Sequence, residues 1–186
     1  QISTGLNTNS TPVFLAGLFG SHRFNGLGRI ISLGLYANTT KNSNLQDGID
    51  SLRYYNPDSS VAKDSVLHQL LDKKNNTFTG NGQLSYVEPL DSANSLELRY
   101  SLNYNRTDNI QETRWVNPDG KINVVDSLSN QYIYTMIQHQ IELNFRRVKN
   151  KWDFTFGMRL QPASMTSSMA GGANKAVVSS NKLVPV

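Results

Sequence analysis

Side chains that could perform catalysis are few in this sequence, and they do not form a recognised motif. The three histidines, His22, His68 and His139, are scattered, and there is no cysteine. Ser21 lies between Gly20 and His22, but no pattern predicts the helix that must follow the serine of a nucleophile elbow. Walker loops, H-E-x-x-H motifs and dinucleotide fingerprints are also absent. We therefore predict that the chain is not an enzyme, with no catalytic residue and no cofactor.

A group of carboxylates gives a weak indication of a metal site. Asp47, Asp50 and Asp58 occur close together around Gly48, as in a calcium-binding loop. The regular EF-hand spacing and its terminal glutamate are missing. We predict no metal site.

Three aromatic residues are the candidate ligand-binding residues. Trp115, Tyr54 and Tyr55 lie in two long segments between predicted strands. Such rings could stack on a sugar or another ligand; the alternative is that they stiffen the segments that carry them. If a ligand is bound, these residues predict a small molecule or an oligosaccharide.

Composition restricts the class of protein. The chain has 186 residues and a formal net charge of +4 that is dispersed along it, so we expect no nucleic-acid partner. Mean hydropathy is −0.44, and no apolar run approaches the roughly 20 residues of a membrane-spanning helix. A membrane-spanning β-strand needs about 9–11 residues with every second one apolar, which is compatible with this low hydropathy.

The apolar residues recur with a period of two, which predicts strands. Residues 96–104 alternate without error between apolar and polar side chains, and residues 137–145 and 152–160 alternate almost as regularly. His139 is the one polar residue on the apolar parity of its segment. The polar parity carries charges that neighbouring strands could pair: Glu97, Arg99, Glu142, Arg146, Asp153, Arg159.

The same pattern predicts six strands near 13–24, 29–40, 77–88, 95–106, 132–146 and 152–161, and a seventh that begins near Leu183. Short turns at 25–28, 89–94 and 147–151 alternate with two long loops at 41–76 and 107–131. Residues 64–74 are predicted to form a short helix, and Asn117-Pro118-Asp119-Gly120 to form a hairpin tip. Short turns at one end and long loops at the other are typical of outer-membrane barrels, in which the turns face the periplasm.

We therefore predict an all-β, antiparallel up-and-down meander that forms one segment of a transmembrane β-barrel across residues 1–186. Because even small membrane barrels use eight strands, we expect a partial barrel with two open edges. Two alternatives remain open. One is a soluble, secreted β-sandwich that binds a glycan or protein ligand; the other is a small outer-membrane enzyme that brings a serine, a histidine and an acid together.

Several segments resemble a known family. These segments are Gly20-Ser21-His22-Arg23-Phe24 together with residues 28–33, and then residues 84–90, 96–100 and 157–162. Over about residues 13–186 the chain resembles the barrel region of TonB-dependent-receptor-like outer-membrane proteins of the Bacteroidetes type. The resemblance implies a barrel of about 22 strands, a plug domain, the outer-membrane bilayer as a partner, and uptake of a scarce nutrient with energy relayed from the inner membrane.

Overall fold

The computed structural model describes residues 2–24, 28–58, 60–149, 151–169 and 175–185, and these residues form one sheet. Its strands are β1 (Ile2–Ser10), β2 (Val13–Arg23), β3 (Ile30–Tyr55), β4 (Val61–Pro89), β5 (Asn94–Val116), β6 (Ile122–Val124), β7 (Asn130–Lys149), β8 (Trp152–Met169) and β9 (Lys175–Pro185). A 3-10 turn at Asp126–Leu128 precedes β7. The described residues contain no helix that is both long and apolar enough to span a membrane.

Every strand pairing in the sheet is antiparallel. From one edge to the other the order is β1, β3, β4, β5, β7, β8 and β9, with β6 on the end of β5. Strands β1 and β2 share the outer edge of β3, where β2 pairs with its first half and β1 with its second. They are separated at Pro12, whose carbonyl accepts a hydrogen bond from the Lys41 amide at 3.0 Å. The predicted all-β antiparallel meander is confirmed.

The register places the predicted apolar parities of all these strands on one face. Directly paired residues share a face of the sheet. One continuous row contains Ile31, Tyr86, Leu98, Leu143 and Met158, each paired with the next. We call this side the apolar face and the opposite side the polar face.

No second layer formed by the described residues covers the apolar face. Among the described residues no hydrophobic side chain is buried, and Leu98, Phe156 and Met158 are 49%, 69% and 55% exposed. A sandwich stabilises its sheets by burying such side chains against a second sheet about 10 Å away. The alternative of a soluble β-sandwich is therefore wrong for the part of the chain that the structure describes.

The predicted long loop at 41–76 is replaced by strand. Strands β3 and β4 continue, with one register shift at Tyr54/Tyr55, to a tip that is described at residues 56–58 and 60. We call it the 56–60 tip, and in it the Asn56 amide donates to the Ser60 carbonyl at 2.8 Å. The predicted helix at 64–74 is also wrong. Its leucines fall on both faces of β4, and its backbone pairs with β3 on one side and, from His68 onwards, with β5 on the other. Pairing with two strands outweighs the local helical pattern.

The predicted long loop at 107–131 is also mostly paired backbone. Strand β5 continues to Val116, and β6 returns beside it. The predicted hairpin tip lies between them: the Asn117 amide donates to the Lys121 carbonyl at 2.8 Å, and Gly120 has a φ of 80°, which glycine adopts without strain. We call the end that carries this tip and the 56–60 tip the long-hairpin end.

At the opposite end, which we call the short-turn end, the connection between β4 and β5 is tight, and the Leu90 amide donates to the Asn94 carbonyl at 2.9 Å. The turn after Pro89 agrees with its prediction. The predicted turns at 25–28 and 147–151 include residues 25–27 and 150, which lie outside the described residues. Three strands differ from the prediction. β9 begins at Lys175, before Leu183, and neither β1 nor the three-residue β6 was predicted; the Ser, Thr and Asn residues of β1 lack apolar alternation.

Candidate functional site: the polar face of the sheet

A buried carboxylate organises the charged part of the polar face. Glu142 is 2% exposed. It accepts hydrogen bonds from Arg159 Nε at 2.7 Å, Asn144 Nδ2 at 2.7 Å, Arg99 Nη1 at 3.2 Å and Gln140 Nε2 at 3.3 Å. Four donors to two carboxylate oxygens satisfy the charge despite its burial.

The register brings these residues together from three strands. Glu142 of β7 pairs directly with Arg99 of β5 and with Arg159 of β8. Two residues along, Asn144 pairs with Gly157, and a Cβ on Gly157 would lie 2.1 Å from Asn144 Oδ1. Because residue 157 is glycine, the Asn144 amide has room to lie across β8 and to donate to Glu142.

Further charges on this face are paired as the sequence indicated. Arg99 Nη2 also contacts Glu97 Oε1 at 2.7 Å. Arg146 holds Asp153 with two hydrogen bonds of 3.0 and 2.6 Å across the β7–β8 turn. Within these pairs three arginines, Arg99, Arg146 and Arg159, balance three carboxylates.

Next to the charged network lies a trough of about 670 Å³ whose lining is uncharged. Its floor is formed by amide, hydroxyl and glycine residues of β3, β4 and β5, and two aromatic rings, Phe19 and Tyr36, stand on its β2–β3 side. The residues that matter for its chemistry are Ser32, Asn81, Gln83, Ser85, Ser101, Asn103. Sequence reasoning missed this site, although the run of uncharged polar residues on one parity was its signal.

At the short-turn end, ion pairs mark the border of the apolar face. Arg29 donates to both carboxylate oxygens of Glu88, at 2.7 and 2.5 Å, and the Tyr86 hydroxyl donates to the same carboxylate. In the adjacent turn, Asp91 accepts the amides of Ala93 at 2.7 Å and Asn94 at 2.9 Å.

His139, the polar exception on the apolar face, has a partner there. Its Nδ1 lies 2.8 Å from the Tyr100 hydroxyl, and the two rings stack with centroids 6.1 Å apart. His22 contacts Phe24 edge to face at 4.9 Å. The third histidine, His68, contacts Asp47 at 2.7 Å near the long-hairpin end.

The structure does not bring the three predicted ligand-binding residues together. Tyr54 and Trp115 share the polar face by register, but Trp115 is level with Gly48, so about 20 Å of strand separates it from Tyr54. Tyr55 is adjacent to Tyr54 and points to the opposite side. All three are exposed, at 53%, 61% and 43% for Tyr54, Tyr55 and Trp115. Their role in ligand binding stays a prediction.

The carboxylates of the weak calcium motif are also apart. Asp47 and Asp50 lie in β3 on opposite faces, whereas Asp58 lies in the 56–60 tip and accepts the Ser60 amide at 3.0 Å. Within the described ranges, no group of three or more His, Cys, Asp or Glu side chains is arranged to hold a metal ion.

Comparisons with known proteins place this geometry in a family. The model of the "Outer membrane protein beta-barrel family" matches residues 22–185. No curated protein matches the chain. Among solved structures, the unliganded crystal structure of the ferric citrate transporter FecA is similar, with 12% identity and a TM-score of 0.46. That match covers 84% of this chain and 24% of the transporter, so the chain spans about a quarter of that protein's length.

Proposed function

Because the chain belongs to the outer membrane protein β-barrel family, we propose that its strands form part of the wall of a receptor or transporter for nutrient uptake in the cell outer membrane. One observation carries the proposal. A single sheet presents an uncovered apolar face on one side and a continuous polar face with a trough on the other. A barrel wall between lipid and an aqueous lumen requires this two-sided arrangement.

The apolar face contacts the lipid bilayer of the outer membrane, and its extent fits that environment. The apolar residues of β5 run from Leu96 to Tyr104, about 27 Å along the strand at about 3.4 Å per residue. With the roughly 40° tilt of barrel strands, this corresponds to about 21 Å across the membrane, close to the apolar band of about 25 Å in known barrels. The ion pair of Arg29 and Glu88 lies in the same row as Leu96, at the short-turn edge of this band.

The long-hairpin end faces the cell exterior in this proposal, and the short-turn end faces the periplasm. The hairpins of β3–β4 and β5–β6 then extend beyond the bilayer and carry Tyr54, Tyr55 and Trp115 as ligand-contacting residues. Their exposure supports this role because an exposed aromatic ring near a hairpin tip offers a surface on which a ligand can stack.

The wall needs further strands. Backbone N–H and C=O groups find no partners in hydrocarbon, so a membrane sheet must close into a ring. Within the described ranges, β9 and the β1–β2 edge each have one free side. We propose that more strands of the same barrel pair with these edges. The resemblance of the sequence to TonB-dependent receptors of the Bacteroidetes type supports a plug domain and energy relayed from the inner membrane.

The proposed role is non-enzymatic and needs no cofactor. Its test is uptake by cells that have or lack the protein, measured over panels of sugars, peptides and chelated metals. Loss of the protein is expected to reduce uptake of one nutrient class at scarce concentrations. The variants Trp115→Ala and Tyr54→Ala are expected to weaken uptake of that class while the barrel still folds, as checked by its shift on a gel without heating. Unchanged uptake of every class would refute the receptor role.

A further inference from the structure

We infer that the trough on the polar face binds an uncharged, polyhydroxylated ligand of the oligosaccharide class, an inference that rests on the proposed function. Its volume of about 670 Å³ lies within the range of small-molecule sites, roughly 300–1,000 Å³. Its position on the lumen side of the wall places it on the path of a ligand that enters from the long-hairpin end.

The first argument is that the polar groups of the trough are available. The side chains of Asn81, Gln83, Ser101 and Asn103 make no hydrogen bond to any described residue, and all line the trough. Each amide offers two donors and an acceptor, and each hydroxyl a donor and an acceptor. A ligand with many hydroxyl groups matches this mixture, since every sugar hydroxyl both donates and accepts.

The rows on either side of the trough differ from the trough itself because several of their side chains bond to each other. Towards the long-hairpin end, Asn105 Nδ2 donates to Thr79 Oγ1 at 3.1 Å, and Thr77 and Thr107 are 3.2 Å apart at their hydroxyls. Towards the short-turn end, Asn144 and Arg159 both donate to Glu142, although Arg99 Nε and Asn144 Oδ1 have no partner among the described residues. The amides of Asn81, Gln83 and Asn103 therefore stay available at the level of the trough, and Asn38 Oδ1, opposite Thr79, also has no partner among the described residues.

The second argument is electrostatic. The ionic groups nearest the trough pair with one another, Arg99 with Glu97 and Glu142, and Arg159 with Glu142. Within this network two guanidinium groups face two carboxylates, so the network itself carries no net charge; Arg23, two residues beyond Ser21 on the same face, is, among the described residues, the other cation on this side of the trough. An anionic chelate or a cationic peptide would therefore gain little from this site.

The third argument is the presence of two open aromatic rings. Phe19 pairs with Gly34 and Tyr36 pairs with Gly17, and each ring lies over the glycine opposite it, 3.8 Å from the position that a Cβ would occupy. Because the glycines carry no side chains, the rings stay accessible, with Phe19 75% and Tyr36 37% exposed. Flat apolar rings beside convergent amides suit the apolar C–H face and the polar rim of a pyranose.

The test is binding by the whole protein in detergent to an array of neutral oligosaccharides, with citrate and a ferric chelate as charged probes, followed by calorimetry on the sugars that bind. The matched pair of variants is Asn103→Ala and Asn105→Ala, two residues apart on the same face of β5. Loss of the free Asn103 amide is expected to weaken affinity about two- to tenfold, whereas loss of Asn105, which is bonded to Thr79, is expected to change it less than twofold.

A second variant guards against a folding effect. Phe19→Ala removes the more exposed ring of the trough, which is 75% exposed, and it is expected to weaken sugar affinity several-fold with little change in the unfolding midpoint. Absence of binding to every neutral oligosaccharide overturns the inference, as do equal losses for Asn103→Ala and Asn105→Ala. If cells lacking the protein lose uptake of a charged nutrient and the array is blank, the receptor role stands and this ligand class is wrong.

Discussion

Removal of the Glu142 carboxylate is expected to destabilise the barrel more than removal of any other charge on the polar face. In Glu142→Ala, Arg99 and Arg159 lose the group that lies between them, and Asn144 loses its acceptor. Breaking a buried, hydrogen-bonded ion pair typically costs about 3–5 kcal/mol. The two arginines are 33% and 30% exposed and keep part of their hydration, so we expect the lower end, about 3 kcal/mol.

Two matched variants divide this cost. Glu142→Gln keeps the shape and one acceptor but loses the charge, and we expect about 1–2 kcal/mol. Glu97→Gln removes a carboxylate that is 26% exposed and contacts Arg99 alone, and we expect less than about 1 kcal/mol.

The assay is urea unfolding of the protein in lipid vesicles, followed by tryptophan fluorescence. A double-mutant cycle between Glu142 and Arg159 is expected to give a coupling of about 1–3 kcal/mol. A coupling near zero, or a loss for Glu142→Ala no larger than for Glu97→Gln, would refute the view that this network holds β5, β7 and β8 together.

Three further perturbations follow from particular contacts. Gly157→Ala would place a methyl group 2.1 Å from Asn144 Oδ1, so we expect a loss of about 2–4 kcal/mol in the same urea assay, and a loss under 0.5 kcal/mol would contradict the described packing. Leu102→Arg puts a charge on the lipid side and is expected to cost about 2–3 kcal/mol, whereas Asn103→Arg on the lumen side is expected to cost less than about 1 kcal/mol; equal costs would argue against the assigned faces. Hydrogen bonds from the turn lower the pKa of Asp91 from its ordinary value of 3.8, so its contribution to stability is present above that value and is lost as pH falls through the lower, folded pKa. The difference in unfolding midpoint between wild type and Asp91→Ala should therefore vanish in acid. A difference that is independent of pH would contradict this role of Asp91.

The sequence predicted the central part of each strand because the two faces of the sheet meet different environments there, lipid on one side and water on the other. Leu96 to Tyr104 alternate strictly because one side faces lipid and the other faces water. Beyond the bilayer both sides of a strand meet water, so the alternation ends although the backbone ladder continues. This is why β3 was predicted to end near residue 40 but continues to Tyr55. For the same reason β4 was predicted to begin near residue 77 but begins at Val61.

The polar face was harder to predict because its chemistry depends on register. The sequence places Glu142 and Arg159 on the polar parity, but only the pairing of β7 with β8 brings them within 2.7 Å. The difference between Asn103 and Asn105 has the same origin, since a neighbouring strand supplies Thr79 to one amide and leaves the other free. The sequence groups Tyr54 with Trp115 only as aromatic residues of two predicted loops, and the extension of β3 places the two residues about 20 Å apart along the strand.

The most direct test of the central claim uses the absence of native cysteine from this chain. Single cysteines at successive positions from 96 to 104, each carrying a nitroxide spin label, report collisions with oxygen in lipid and with a nickel chelate in water. In vesicles we predict high oxygen accessibility at even positions such as Leu98 and Leu102, and high chelate accessibility at odd positions such as Arg99 and Asn103. Low accessibility to both reagents at the even positions would show that another protein layer covers the apolar face, and would contradict the barrel wall.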